Sequence, residues 1–427
     1  MYVNGLAKYL KAQGHYVRVV AGMPPEAFTE LEKGYEDDQL KTVSYSYNEI
    51  DITGVVLKNE TTREIYKKFR EAWVNSWSSV FASLSTPAWD IVHLHAHTSV
   101  LGEALVKGLK LHSEKVKVFA SYHVPVSCSK GTLLFGAKLQ ECNVQPAVNI
   151  CAACILSTKS NFPFVLSKML MPLLPVFRAE QLPVGSRLKS LVSDFIASFT
   201  RLDQHIHEWH IFSRQIQDIL LLNGIEKNKL FLLRHGADEL FFDKNNMVEK
   251  RKNAKPIIFL FASRFTALKG FDTLVKAWCS MEDNVERQLW LAGEEQAAIV
   301  PAGNSTNTAL LRKDIKWLGA KTQAELALVM QQVHCLIIPS EWLEIGPLVF
   351  HEAIAAGCDV IASDIGGCKE LASFYTIKSR LFEAGNPSEL ARAIVHFKYS
   401  GTSMASLTNT QNFEQVYLQY MLQMKTG

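Results

Sequence analysis

Residues 339 to 367 read PSEWLEIGPLVFHEAIAAGCDVIASDIGG, and the fold turns on them. The apolar run Cys335 to Ile338 reads as a strand that stops at Pro339, and a loop carrying Glu341 and Glu344 follows. Pro347 suits the first position of a helix, where its missing N–H costs nothing, and Gly357 marks that helix's end. Val360 to Ser363 is the next strand. Such a strand, loop, helix and strand put free backbone N–H groups and the positive end of a helix at the strand's carboxyl edge, a ready anion site. Seven residues separate Glu344 from Glu352. A carboxylate in such a cleft can take two hydroxyls of a ribose or sugar as paired hydrogen bonds. Taken alone, two glutamates near a helix start are more often solvated or capping residues, so their companions matter.

Outward from this stretch the same rhythm repeats. Strands are expected at Ile257 to Ala262, Gln288 to Ala292 and Ile315 to Leu318, with helices at Phe271 to Ser280 and Gln323 to Gln332. Single helices between apolar strands argue a parallel sheet covered on both faces. At the end of the first of these strands stand Ser263-Arg264-Phe265 and, five positions after the arginine, Lys269-Gly270. An arginine fork and a lysine point charge on one strand-to-helix loop suit a diphosphate. The polar residues 244–256 are expected to be a linker, with 257–400 as the second domain and 401–427 as a C-terminal helix packing back on the first.

The first domain, 1–243, shows the rhythm less regularly. Asp90 to His95 and Val116 to Ser121 read as strands, with a helix at Leu101 to Leu111 between them. His93 and His95 share one face of their strand, with His97 beyond; core or cleft-lining histidines are favoured there over a metal pair. Residues 160–202 mix Phe, Leu and Met with Lys168, Arg178, Arg187, Lys189 and Arg201, next to Lys159. Two readings stand: basic helices packed on their own domain, or a membrane-surface patch. At the start, Val3, Leu6 and Leu10 line one helical face, Gly14 stops the helix, and Tyr16 to Val20 reads as a buried strand. The chain is therefore expected to begin inside a βαβ unit without the strand that precedes its helix.

Composition narrows the function. The 427 residues carry 45 basic and 42 acidic side chains, a net charge of +3. That balance excludes a protein whose main work is gripping nucleic acid. No apolar run approaches the roughly 18 residues needed to span a bilayer, because Pro172 and Pro175 break the greasiest stretch, and no basic end followed by a greasy core opens the chain. An integral membrane protein is not expected. A dinucleotide oxidoreductase is disfavoured because no G-x-G-x-x-G follows a strand.

Arg264 with Lys269-Gly270, Gly293, Trp317-Leu318-Gly319, Pro339-Ser340, the Glu344 to Glu352 spacing, and Gly366-Gly367 with Glu370 together resemble the donor-binding half of a family-4 retaining glycosyltransferase. In the first half Ser121-Tyr122-His123 and Arg234 to Asp238 are similar to that family's strand-end histidine and interdomain turn. The resemblance implies a GT-B fold, two Rossmann-like α/β domains facing across a cleft. It also implies metal-independent transfer of a sugar from a nucleotide-diphosphate donor to a glycan or lipid-linked acceptor, in the cytoplasm or at the inner face of the membrane. By the same resemblance Arg264 and Lys269 hold the diphosphate and Glu352 the ribose. Glu344 and the N–H groups around Gly346 to Leu348, a turn that includes Pro347, are assigned to the donor-sugar site, and His123 faces the sugar. Members of the family open with a strand and a glycine-rich loop ahead of the first helix, which this sequence lacks. That departure leaves a non-catalytic nucleotide-sugar-binding remnant as the alternative.

Four of the eight cysteines, Cys128, Cys142, Cys151 and Cys154, fall within 27 residues. Cys151 and Cys154 form one chelating knuckle, and structural zinc or an iron–sulfur centre is weighed against unligated thiols, with disulfides third. The insert 128–154 is similar to one seen in a subgroup of these transferases. Cys279, Cys335, Cys358 and Cys368 are expected to pack in the core.

Overall fold

The computed structural model describes residues 2–22, 40–47, 49–57, 71–85, 88–95, 99–110, 115–135, 140–160, 163–173, 184–242, 247–252, 254–282, 285–293, 312–377, 380–401 and 413–426. His97 and Arg178, named above, lie outside them, as does the side chain of Lys159.

Among the described residues the first half holds three sheets. β1 (Arg18–Gly22), β2 (Leu40–Tyr47) and β3 (Ile50–Leu57) form one, with β1 parallel and β2 antiparallel to the central β3. β4 (Ile91–His95) and β5 (Lys117–Ser121) begin the second; after the small hairpin of β6 (Leu134–Phe135) and β7 (Gln140–Glu141) it is completed by β8 (Glu208–Ile211) and β9 (Leu230–Leu232). That second sheet is parallel throughout, in the order β4-β5-β8-β9.

β1 corrects the reading of Tyr16 to Val20 as a buried strand. It starts at Arg18, is half-buried, and is an outer strand of its sheet. Tyr16 remains exposed and stacks on Trp89 at 5.5 Å, just before β4.

The second half is one continuous parallel sheet of β10 (Ile257–Ala262), β11 (Arg287–Ala292), β12 (Ile315–Gly319), β13 (Cys335–Ile338), β14 (Asp359–Ser363) and β15 (Leu381–Phe382). Its order is β12-β11-β10-β13-β14-β15. Counted along the chain from β10, that is 3-2-1-4-5-6, the doubly wound arrangement. Alternation along the strands explains why both faces are covered. Phe259, Phe261, Ile337 and Ile361 enter one core with Trp278, whereas Leu260, Leu336 and Val360 enter the other with Phe350 and Ile354. Side chains at period two cannot serve one face alone, so a continuous apolar strand requires helices on each side.

The expected linker contains a short helix, Met247–Arg251. Arg251 is buried there because its guanidinium donates to the carbonyls of Met330, Val333 and Ala356. The helix Phe413–Thr426 returns to the first half, where Val416, Tyr417 and Tyr420 bury against Leu6, Phe119 and Leu233.

The basic segment divides. In the helix Val184–Asp203, Val192, Phe195 and Phe199 are buried, and Lys189 reaches the Met171 carbonyl at 3.0 Å. The helix Phe164–Leu170 with its following turn leaves Val165, Met169 and Leu173 at 66, 68 and 78% exposure. No helix among the described residues is long and apolar enough to cross a membrane.

Candidate functional site

The order of the second sheet reverses between β10 and β13, and a doubly wound sheet binds ligands at the carboxyl ends of the strands flanking that point. Arg264 follows β10 and is exposed. Thr266 caps the short turn Ala267–Lys269, and Gly270 follows at φ 69°. A Cβ at Gly270 would lie 1.7 Å from the Pro339 carbonyl oxygen. Only glycine lets the two strand-end loops touch, which brings Lys269 beside the loop after β13.

There Lys269 Nζ stands 2.6 Å from Glu344 Oε1, and Ser340 Oγ donates to the same oxygen at 2.9 Å. Glu341 is occupied otherwise, accepting from Thr273 Oγ1 at 2.5 Å. The helix is Leu348–Ala355, so Pro347 is the residue before it rather than its first, extended at ψ 118°. Gly366 and Gly367 let the next helix press on this loop: the Gly367 N–H donates to the Glu344 carbonyl, and a Cβ at either glycine would meet that oxygen within 2.8 Å.

Glu352 lies one turn beyond Leu348 on the same helical face. It is 2% exposed, and its Oε1 has no hydrogen-bond partner among the described residues. Burial, and secondarily the charge of Asp238, push its carboxyl up to about 7. A buried oxygen without a partner is costly.

Across the cleft, a cavity of about 180 Å³ is lined by His123, Phe212 and His235 on one side and by Trp342, Glu344, Gly346 and Leu348 on the other. His123, Glu344, Gly346 and Leu348 were legible as candidates; Phe212, His235 and Trp342 were not singled out for the cleft. A usable signal for Phe212 was its place after the apolar strand Trp209 to Ile211 and before Ser213, which caps the helix Arg214–Leu222. His235 is held neutral, its proton affinity well below the ordinary histidine range, mainly by burial and then by His123, His351 and His95. A larger recess of about 500 Å³ lies between Gln140 and Asp364, Glu383 and Glu389. Its acidic lining does not suit an anionic ligand.

Two carboxylates join the halves. Glu370 accepts from the Arg214 N–H at 2.7 Å and from Arg234 at 3.1 Å, at the positive end of the helix Arg214–Leu222. Glu141, next to Cys142, accepts from the Gly366 N–H at 2.9 Å.

The four clustered cysteines come from three places: the turn after Cys128, the end of the β6–β7 hairpin, and the helix Val148–Ser160, which carries Cys151 and Cys154. None of the four is joined in a disulfide. They share one electrostatic neighbourhood: burial first, then the other thiols, pushes Cys151 up to about 11 and raises Cys142. Among the described residues no three His, Cys, Asp or Glu side chains are arranged to hold a metal ion, so these thiols as placed do not form a ready metal site. Cys335 is buried in the core around Trp278, against which Cys279 packs, and Cys358 and Cys368 are buried in the core around Phe350.

Residues 242–409 match the family described as Glycosyl transferases group 1. No curated protein matches the sequence. Solved structures do resemble it. Sucrose-phosphate synthase from Thermosynechococcus elongatus superposes with a TM-score of 0.61 at 16% identity, over 100% of this chain and 92% of the other. Anabaena HepE, in complex with UDP and glucose, gives 0.59 at 13% identity over 99% and 96%. WaaG, a glycosyltransferase involved in lipopolysaccharide biosynthesis, gives 0.56 at 14% identity over 100% and 95%. These superpositions over nearly the whole chain show the GT-B fold, and the match to Glycosyl transferases group 1 covers the half that holds Arg264, Lys269, Glu344 and Glu352.

Proposed function

We propose that this protein is a retaining glycosyltransferase moving a sugar from a nucleotide-diphosphate donor to a glycan or lipid-linked acceptor. The observation that carries the reading is Glu352, a carboxylate buried in the helix that follows the switch-point strand β13, with an oxygen that has no partner among the described residues. A ribose diol supplies what that oxygen lacks. Arg264 and Lys269 then take the diphosphate, and positive charge fixed beside the departing oxygen helps most as negative charge develops there. In this reading Lys269 exchanges Glu344 for phosphate, which releases Glu344 to the sugar hydroxyls together with backbone N–H groups at Gly346 and Leu348. His123 faces the sugar from the first half. No step of this scheme calls on a metal ion.

The acceptor side belongs to the first half. The exposed Val165, Met169 and Leu173, with exposed Lys168 among them, suit an interfacial contact in which apolar side chains enter the headgroup boundary and a cation meets anionic lipid. We place the protein at the inner face of a membrane in the cytoplasm and a lipid-linked acceptor there. We further propose that the turn and hairpin bearing Cys128 and Cys142 close on Cys151 and Cys154 around one structural zinc ion. Elemental analysis of protein purified without added metal should find about one zinc per chain, lost in Cys151→Ser. A metal-free chain with reactive thiols at all four positions would leave the cysteines as packing residues.

Calorimetry with UDP, GDP and ADP tests the main reading. One of them should bind, with a dissociation constant raised about tenfold or more by Glu352→Gln, and the matching nucleotide sugar should be turned over. A chain that binds none refutes the proposal; tight binding without turnover supports the non-catalytic remnant.

A further inference from the structure

Along the carboxyl edge of the first parallel sheet, four neighbouring strands each deliver one ring. His95 ends β4, His123 follows β5, Phe212 follows β8 and His235 lies beyond β9. Their centroids are 5.3 Å apart from His95 to His123, 4.6 Å from His123 to Phe212, and 3.9 Å from Phe212 to His235. Adjacent strands run about 4.8 Å apart, so the sheet itself spaces the stack.

Within it, His95 Nδ1 lies 3.1 Å from His123 Nε2. A hydrogen bond between two imidazole nitrogens carries one proton, and whichever ring donates, the other must accept with a lone pair. The contact therefore ties the tautomer and the plane of His123 to His95. His95 is backed in turn by the ring of His93 at 3.8 Å. His93 meets Ser121 Oγ through Nε2 at 2.8 Å and the Tyr420 hydroxyl through Nδ1 at 2.5 Å, and the Tyr420 ring lies parallel to it at 4.9 Å. Tyr420 belongs to the C-terminal helix, so that helix reaches the cleft through three histidines.

We infer that His95 is the positioning residue of His123, holding it in one tautomer and one ring plane at the cavity, with His93, clamped by Tyr420 and Ser121, as the backstop. The inference rests on the reading of His123 as the group that faces the donor sugar. It gives the alternating histidines of β4 a task that neither simple packing nor a metal pair describes.

The test uses full-length protein with 15N-labelled imidazoles, comparing wild type with His95→Phe, His95→Gln and Tyr420→Phe. In the wild type the His123 nitrogen shifts should report a single tautomer. His95→Phe should turn them into an averaged pair and lower turnover of the nucleotide sugar about 10- to 100-fold, while UDP affinity, which resides in the other half, changes less than about twofold. His95→Gln keeps a polar partner and should recover most of the tautomer preference. Tyr420→Phe keeps the ring stack but loses the hydroxyl, and should give a smaller shift in the same direction. Unchanged His123 shifts in His95→Phe would overturn the inference even in an active enzyme. If wild type turns over no nucleotide sugar, the proposed reaction fails, yet the tautomer comparison still decides whether His95 positions His123. A misfolded His95→Phe would be recognised by loss of dispersed first-half resonances and early thermal unfolding, and His95→Gln and Tyr420→Phe would then carry the decision.

Discussion

The two halves of this molecule run the same strand-helix alternation and reach different results. From β10 to β15 every strand joins one parallel sheet, and the groups that face the cleft sit within a few residues of their strand ends. In the first half the strands fall into three separate sheets among the described residues, and its contribution to the cleft is a row of rings drawn from four strands between His95 and His235. The difference teaches where each kind of chemistry resides. Affinity for an anionic donor can be built from short loops at one switch point, whereas orienting a single histidine needs side chains far apart in sequence.

That division can be broken most forcefully at His123. If the first half supplies chemistry rather than affinity, His123→Ala should lower turnover by about 100-fold or more and leave the UDP dissociation constant unchanged. A comparable loss of UDP affinity, measured by calorimetry on the same preparation, would show that the halves are not separable in this way.

The complementary test is Arg264→Ala and Lys269→Ala. Each should weaken binding of the nucleotide diphosphate by about 1.5–3 kcal/mol, the range for hydrogen bonds to charged groups. Nucleoside monophosphate binding should change less, because a monophosphate lacks half of the diphosphate these cations are proposed to hold. Unchanged affinity in both variants would return them to surface charge.

Glu352 sharpens the comparison through stability. Its carboxyl stands at about 7 in the folded chain against an ordinary 4.5, so the folded state holds the proton more tightly than the unfolded one. This group's contribution therefore falls as pH rises from about 4.5 to about 7 and stays low above that. Glu352→Gln should abolish the drop and stabilise the nucleotide-free protein at pH 8 by on the order of 2 kcal/mol, while weakening nucleotide binding. Denaturant titrations at pH 5 and pH 8 would check the sign. A variant less stable than wild type at pH 8 would mean that the carboxylate has a structural partner.

The smallest expected effect concerns the first half's outer surface. Replacing Val165, Met169 and Leu173 together by serine should reduce co-sedimentation with anionic phospholipid vesicles by about tenfold and leave UDP binding alone. Equal sedimentation of variant and wild type would remove the membrane from the proposal.

What the amino-acid sequence determined by itself is the second half. Its strands are continuous apolar runs, and the observed β10 and β13 have the bounds that the pattern predicts. Gly357 ends the helix after Glu352 with φ at 72°, and the candidate residues Arg264, Lys269, Glu344 and Glu352 are local to these elements, so periodicity and punctuation sufficed to place them in the fold. Composition hides partners inside the expected linker: the stretch from Lys244 to Pro256 is polar in sequence, yet Arg251 is buried where three backbone carbonyls converge on it. Only the tertiary structure decided that Lys269 rests on Glu344, that His95 touches His123, and that Tyr420 stands behind them. Those contacts span 75, 28 and 327 residues. A local pattern says which face a residue occupies, but which face another element brings against it is settled only when sheets and helices pack.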